Sequence, residues 1–182
     1  MGEPLQLKDF FAAQGKSGKD DFLRQFPGAF LLGRFKAATP LLLFLPREDT
    51  LRVTIGGDEE CDFAFELDQT LDPVHVVVTY HQGFRGWMVC EEERTNFGTQ
   101  VDNERLTPAR PLLLSDRQVV KLGGGLSELQ FYSAETLWGR MNKAGITRSI
   151  SKKRAAPPPP VVPEAKTPSD SHEDFDSEDL GV

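Results

Sequence analysis

The sequence predicts an all-β domain, a sandwich of short strands flanked by helices and followed by an unfolded tail. Between Phe30 and Tyr132 the chain forms about ten short apolar or alternating runs at a spacing of roughly 8–12 residues, the pattern of a sandwich or barrel. Turn-forming clusters such as Ala38-Thr39-Pro40 and Pro46-Arg47-Glu48-Asp49 separate them. The apolar period is helical on either side of this region.

Taken in order, Leu5, Leu7, Phe10 and Phe11, then Phe22, Leu23 and Phe26, place apolar faces at helical spacing. Gly15-Lys16-Ser17-Gly18 divides them into two short helices, with Asp20 and Asp21 suiting the start of the second. The Gly-Lys-Ser here lacks the upstream glycine and strand of a phosphate loop, so it is read as a solvated turn. Strands are expected at 30–35, 41–45, 51–55, 63–67, 74–80, 86–90, 100–101, 112–114, 118–122 and 129–132. Phe63, Phe65 and Leu67 alternate with polar or small residues, as for a strand with one wet face. Val74 to Tyr80 is nearly continuous and β-branched, as for a strand buried on both faces. A closing helix over 133–144 is expected, with Ser133 as N-cap and Leu137, Trp138 and Met141 as the stripe that packs back on the sandwich. The chain thus divides into a helical extension (1–28), the β-sandwich (29–132), a C-terminal helix (133–144) and a tail (145–182).

Composition narrows the function classes. A net charge of −7 argues against nucleic acid, which selects basic surfaces. The longest apolar run, Pro40 to Pro46, is too short to span a membrane, and Met1-Gly2-Glu3-Pro4 opens no secretory leader. Cys61 and Cys90 lack metal-cluster spacing and lie in apolar patterns, so buried free thiols, a reducing compartment and a cytoplasmic location are expected. No nucleophile–base pair, metal-ligand cluster or phosphate loop marks an enzyme, and no metal or cofactor is expected.

The turn-rich segment from Leu51 to Leu106 carries more specific motifs. In order, they are Ile55-Gly56-Gly57, Cys61-Asp62, Asp72-Pro73-Val74-His75, Gly86-Trp87, Phe97-Gly98-Thr99-Gln100-Val101-Asp102 and Arg105-Leu106, with Lys121-Leu122-Gly123 beyond them. Over about residues 29–132 this series resembles a forkhead-associated (FHA) domain. The resemblance implies an eleven-stranded β-sandwich, without catalysis, whose loops at one end bind phosphothreonine peptides. It also implies structural roles for Gly56, His75, Gly98 and Thr99, with His75 tying the loop backbone together.

Two departures from the family pattern bear on the ligand. The family's phosphate-binding arginine falls on Gly57, which removes a bidentate contact. Its hydroxyl-donating serine falls on Asp72, and an ionised carboxylate accepts hydrogen bonds only and repels phosphate. Asp58, Glu59 and Glu60 add negative charge beside the first loop. In the third loop, aligned without gaps, Phe97 takes the place of the family's peptide-gripping asparagine. With one inserted residue, Thr95 and Asn96 keep that chemistry and Phe97 bulges out. Phe97 either anchors a partner or packs under its own loop, and Arg85 and Arg94 are candidate substitutes for the missing arginine. The expected function is an FHA-type interaction module, an adaptor or scaffold with a protein or peptide partner and no need for phosphothreonine. The alternative is ordinary phosphothreonine-peptide recognition in kinase signalling.

The tail carries Lys152-Lys153-Arg154, four prolines at 157–160 and then an acidic, serine-containing end. Too little apolar surface offsets its ordering entropy, so disorder is expected. Thr167 has Asp170 three residues on, a spacing many FHA domains prefer, and Thr147 has Ile150 there. Both threonines are candidate phosphoacceptors, and the tail is a candidate docking segment for a second partner.

Overall fold

The computed structural model describes residues 2–91, 93–108 and 110–154. Among the described residues twelve short strands form two sheets, one strand more than the family pattern implies. They are β1 (Leu5–Gln6), β2 (Gly28–Phe35), β3 (Leu41–Pro46), β4 (Arg52–Gly56), β5 (Phe63–Ala64), β6 (Val76–His81), β7 (Gly86–Cys90), β8 (Thr99–Val101), β9 (Glu104–Arg105), β10 (Leu112–Leu113), β11 (Val119–Leu122) and β12 (Ser127–Ser133). The larger sheet runs β1-β3-β2-β12-β11-β8-β9 and the smaller β10-β7-β6-β4-β5. Only the β4–β5 pairing is parallel among the described strands. The additional strand is β1, which pairs with the edge of β3 immediately before the first helix.

The fold has three layers. Between the sheets, Leu31, Leu43, Val53, Ile55, Val76 and Trp87 belong to one core. The other face of β2, β3 and β12 presents Phe30, Leu32, Leu42 and Tyr132 to a second core built with the helices. Two buried faces explain why Phe30-Leu31-Leu32 and Leu41 to Leu45 are continuously apolar instead of alternating. The covering helices are α1 (Leu7–Gln14), α2 (Lys19–Gln25) and α3 (Ala134–Arg154). Phe10, Phe22, Phe26, Phe30 and Phe44 form an aromatic network there, with ring centroids 5.0–6.2 Å apart; the Phe22–Phe30 pair is stacked and the others are tilted or edge-on. Leu137 and Met141 of α3 are buried against the same cluster, as their spacing predicts.

Three element boundaries differ from the sequence-based expectation. Residues 65–72 form turns, and Leu67 is 79 % exposed. The cause is Asp68, whose carboxylate accepts from the Thr70 amide and hydroxyl and replaces a strand ladder with an Asx-type turn. Strand β6 begins at Val76, leaving Val74 on the preceding loop. Helix α3 has its cap at Ser133, whose Oγ accepts from the Thr136 amide at 3.2 Å, but continues to Arg154 instead of ending at Ala144. Gly145 alone costs a helix only about 1 kcal/mol relative to alanine. No proline intervenes before 157, and Lys152–Arg154 suit the negative end of the helix dipole. Cys61 and Cys90 are free thiols as expected, but half-buried, and Cys61 lies in a loop. No helix among the described residues is long and apolar enough to cross a membrane.

Phe30 is fully buried on the helix-facing side of β2. Phe30→Ala is expected to lower stability by about 3–5 kcal/mol through the cavity it opens, read as a lower urea midpoint at unchanged m-value.

Candidate functional site

Three loops meet at one end of the sandwich. They are the exit of β4 (57–62), the entry to β6 (65–75) and the connection from β7 to β8 (91–98). Antiparallel pairing of β4, β6 and β7 brings their ends together, with Ile55 opposite Val76 and Val77 opposite Cys90.

His75 lies at their junction, 1 % exposed. Its Nδ1 is 3.2 Å from Asp72 Oδ2 and 3.3 Å from the Asp72 amide. Its Nε2 is 3.1 Å from the Gly98 carbonyl and 3.1 Å from the Gly123 amide. Each ring nitrogen therefore faces one donor and one acceptor, so either neutral tautomer is satisfied. One imidazole joins the β5–β6 loop, the β7–β8 loop and the β11–β12 turn.

The glycines beside it are shaped by close approach. A Cβ on Gly56 would lie 2.0 Å from the Pro73 carbonyl oxygen, so only glycine lets β4 pass this loop. Gly98 has φ +76°, and a Cβ there would strike the Arg105 guanidinium at 2.5–2.7 Å. Thr99 is fully buried, and its hydroxyl has no hydrogen-bond partner in the structure. Asp62 fastens the first loop, accepting from the Thr54 amide at 2.9 Å and the Thr54 hydroxyl at 3.0 Å.

Asp72 is held within the loops. Oδ1 accepts from Asn96 Nδ2 at 2.7 Å, and Oδ2 accepts from the Asn96 amide at 3.2 Å besides meeting His75. Thus the one asparagine side chain of the third loop is bonded to the Asp72 carboxylate. Thr95 is buried and donates to the buried Glu91 at 3.0 Å. Phe97 is 57 % exposed, so it stands out from its loop instead of packing beneath it. Gly57 contributes only backbone, its amide donating to the Asp72 carbonyl at 3.0 Å.

Between the second and third loops lies a cleft of about 410 Å³, lined by Asp72, Pro73, Val74, Glu93, Arg94 and Thr95. Val74, 45 % exposed, is an apolar contact at its edge. Arg94 is the cation the structure brings to this cleft. Arg85 is elsewhere: it has left-handed φ +48° in the β6–β7 turn, bonded to Gln82, at the far end of β6. Six strand residues, about 20 Å, separate it from the loops. Thr147 falls within α3, and Thr167 lies outside the described residues.

Residues outside the family motifs also build the site. Asp68, 2 % exposed, accepts from Ser127 Oγ at 2.6 Å and from Thr70 Oγ1 at 2.6 Å. Thr70 Oγ1 in turn accepts from the Gly124 amide at 2.8 Å, which pins the β5–β6 loop to the β11–β12 turn. Burial raises the Asp68 pKa, but the hydrogen bonds from Ser127 and Thr70 outweigh it and hold the carboxyl below its ordinary value. Asp-x-Thr is the sequence signal for this turn. The Ser127 contact joins positions 59 residues apart and has no local signal. Burial, with Asp58 and Asp62 nearby, pushes the Cys61 thiol up, against hydrogen bonding from Thr54. Among the described residues no group of three His, Cys, Asp or Glu could hold a metal ion.

No protein-family model and no curated sequence matches the chain. Solved structures do resemble it. An engineered FHA domain with a Myc-pTBD peptide is 10 % identical, with 63 % of this chain and 97 % of that one covered, at a TM-score of 0.51. Rad53 residues 1–466 in complex with AMP-PNP are 12 % identical, with 64 % and 33 % covered, at a TM-score of 0.50. The N-terminal FHA domain of S. cerevisiae Rad53p, in complex with a phosphothreonine peptide, is 12 % identical, with 61 % and 98 % covered, at 0.49. The fold is that of an FHA domain, with an added helical layer.

Asp68→Asn is expected to destabilise the protein by about 1–3 kcal/mol at pH 7, the scale for disrupting a buried hydrogen-bonded group. Because folding lowers this pKa from 3.8, the contribution of the ionised carboxylate is complete above that value. It is lost as pH falls through the folded value, so the gap between wild type and variant should narrow below pH 3.8 in urea titrations. Thr99→Val, which removes an unpaired buried hydroxyl at nearly constant volume, should raise stability by about 1 kcal/mol.

Proposed function

We propose that the protein is a non-catalytic interaction module of FHA type whose loop end binds a protein or peptide segment without requiring phosphothreonine. It acts as an adaptor or scaffold in the cytoplasm. The observation that carries this reading is Asp72: its carboxylate stands in place of the family's phosphate-binding hydroxyl and already holds Asn96 at 2.7 Å.

Magnitude favours the reading. Two unit charges 4 Å apart repel by about 4 kcal/mol at a surface-like dielectric, equal to the whole binding energy of a ligand with millimolar Kd. A dianionic phosphate would meet this repulsion at Asp72, with Gly57 supplying no compensating cation. Asp58, Glu59 and Glu60 are exposed beside it, and Glu93 lines the cleft. The chemistry suits a neutral or basic segment, with Val74 and Phe97 as exposed apolar contacts.

Arg94 supports a second reading. It lines the same cleft as Asp72, so a phosphothreonine peptide bound there would pair with it in place of the missing arginine.

Paired phosphorylated and unphosphorylated threonine peptide libraries decide between these readings. The first predicts equal or better capture of the unphosphorylated set. A phosphate preference lost in Arg94→Ala and kept in Arg85→Ala would replace it with the second. Gly57→Arg with Asp72→Ser is expected to create phosphothreonine-peptide binding. A Cβ on Gly57 would sit 3.3 Å from the Leu71 carbonyl, a tight fit that a few tenths of an ångström of movement relieves.

A further inference from the structure

On the helical layer, away from the loop end, α3 and the β10–β11 connection enclose a cleft of about 520 Å³. Arg117, Tyr132, Arg140 and Lys143 line it, together with Glu135. Arg140 lies over the Tyr132 ring, 5.2 Å from its centroid, and donates to the Tyr132 hydroxyl. That hydroxyl donates to Gln130 Oε1 at 2.6 Å, so the guanidinium has a fixed support. Arg117 has left-handed φ +68°, and its backbone is held by Phe131 and Gln130.

The nearby acids are engaged in structural contacts. Glu135 pairs with Lys19. Asp116 accepts from the Ser133 amide at 2.7 Å and the Thr136 hydroxyl at 2.6 Å, with Arg117 Nε at 3.8 Å. The lining of the cleft holds three cationic side chains, one carboxylate paired with Lys19 and an aromatic ring, in a chain of net charge −7.

We propose that this cleft docks the acidic segment 170–179 of the same chain. Asp170, Glu173, Asp174, Asp176, Glu178 and Asp179 lie there without a lysine or arginine among them, and Phe175 supplies an apolar residue. The chain between α3 and this segment is long enough. From Lys143 to Arg154 the helix rises about 16 Å. The sixteen residues from Arg154 to Asp170, prolines included, span up to about 50 Å. Individual exposed ion pairs are weak, but tethering raises the local concentration of the segment to the order of millimolar. The docked segment also screens a basic face, so release of the tail would change the charge of the helical layer without altering the loop end.

Zero-length carbodiimide cross-linking of the full chain, read by mass spectrometry, tests the proposal. The expected product links Lys143 to a carboxylate of 170–179 within one chain, at a yield independent of protein concentration and reduced in 0.5 M salt. Arg117→Glu, an exposed loop substitution, should diminish it. As a second measurement, neutralising Glu173, Asp174 and Asp176 to their amides should shift the Gly139 amide resonance, since Gly139 lines the cleft. Links only between two chains, links confined to Lys152 or Lys153, or no link together with an unmoved Gly139 resonance would each overturn it.

Discussion

The loop end depends on one buried imidazole. His75 touches Asp72, Gly98 and Gly123, which belong to three separate connections. Loops normally lie on the surface because buried backbone polar groups lack partners. Here the imidazole supplies those partners. Gly56 lets β4 approach the same junction, where a Cβ would stand 2.0 Å from the Pro73 carbonyl oxygen. Asp68 adds a second tie through Ser127 and Thr70. The outcome is a preorganised set of loops.

Asp72 accepts from both nitrogens of Asn96. These bonds tie the second loop to the third. Arg94 places a cation at the cleft beside this acid, while Phe97 and Val74 expose apolar surface. Fold and exposed contacts are separable: the first rests on buried glycine and histidine geometry and the second on a few surface side chains.

The helical layer gives the chain a second face. Sandwich strands are usually dry on one side and wet on the other. In β2 and β3 both sides are buried because α1, α2 and α3 cover the outer one with a phenylalanine cluster. Helix α3 then carries basic residues on a surface unconnected to the loops.

Much of this organisation was legible in the amino-acid sequence. The alternation of short runs determined the sandwich, and the order of the Gly, Asp and His motifs determined which loops meet. The helical period of Phe10, Phe22, Leu137 and Met141 determined the covering helices. These properties are local, or set by backbone requirements that few residue types satisfy. Tertiary structure alone decided the rest. It removed Arg85 from the site, because hairpin direction places that turn a strand length away. It fastened the 65–72 turn to β12, where Ser127 reaches Asp68 across 59 residues. It also engaged Asp72 with Asn96, 24 residues on, and left Phe97 exposed. Each of these depends on which distant groups share a small volume, and periodicity along the chain does not encode that.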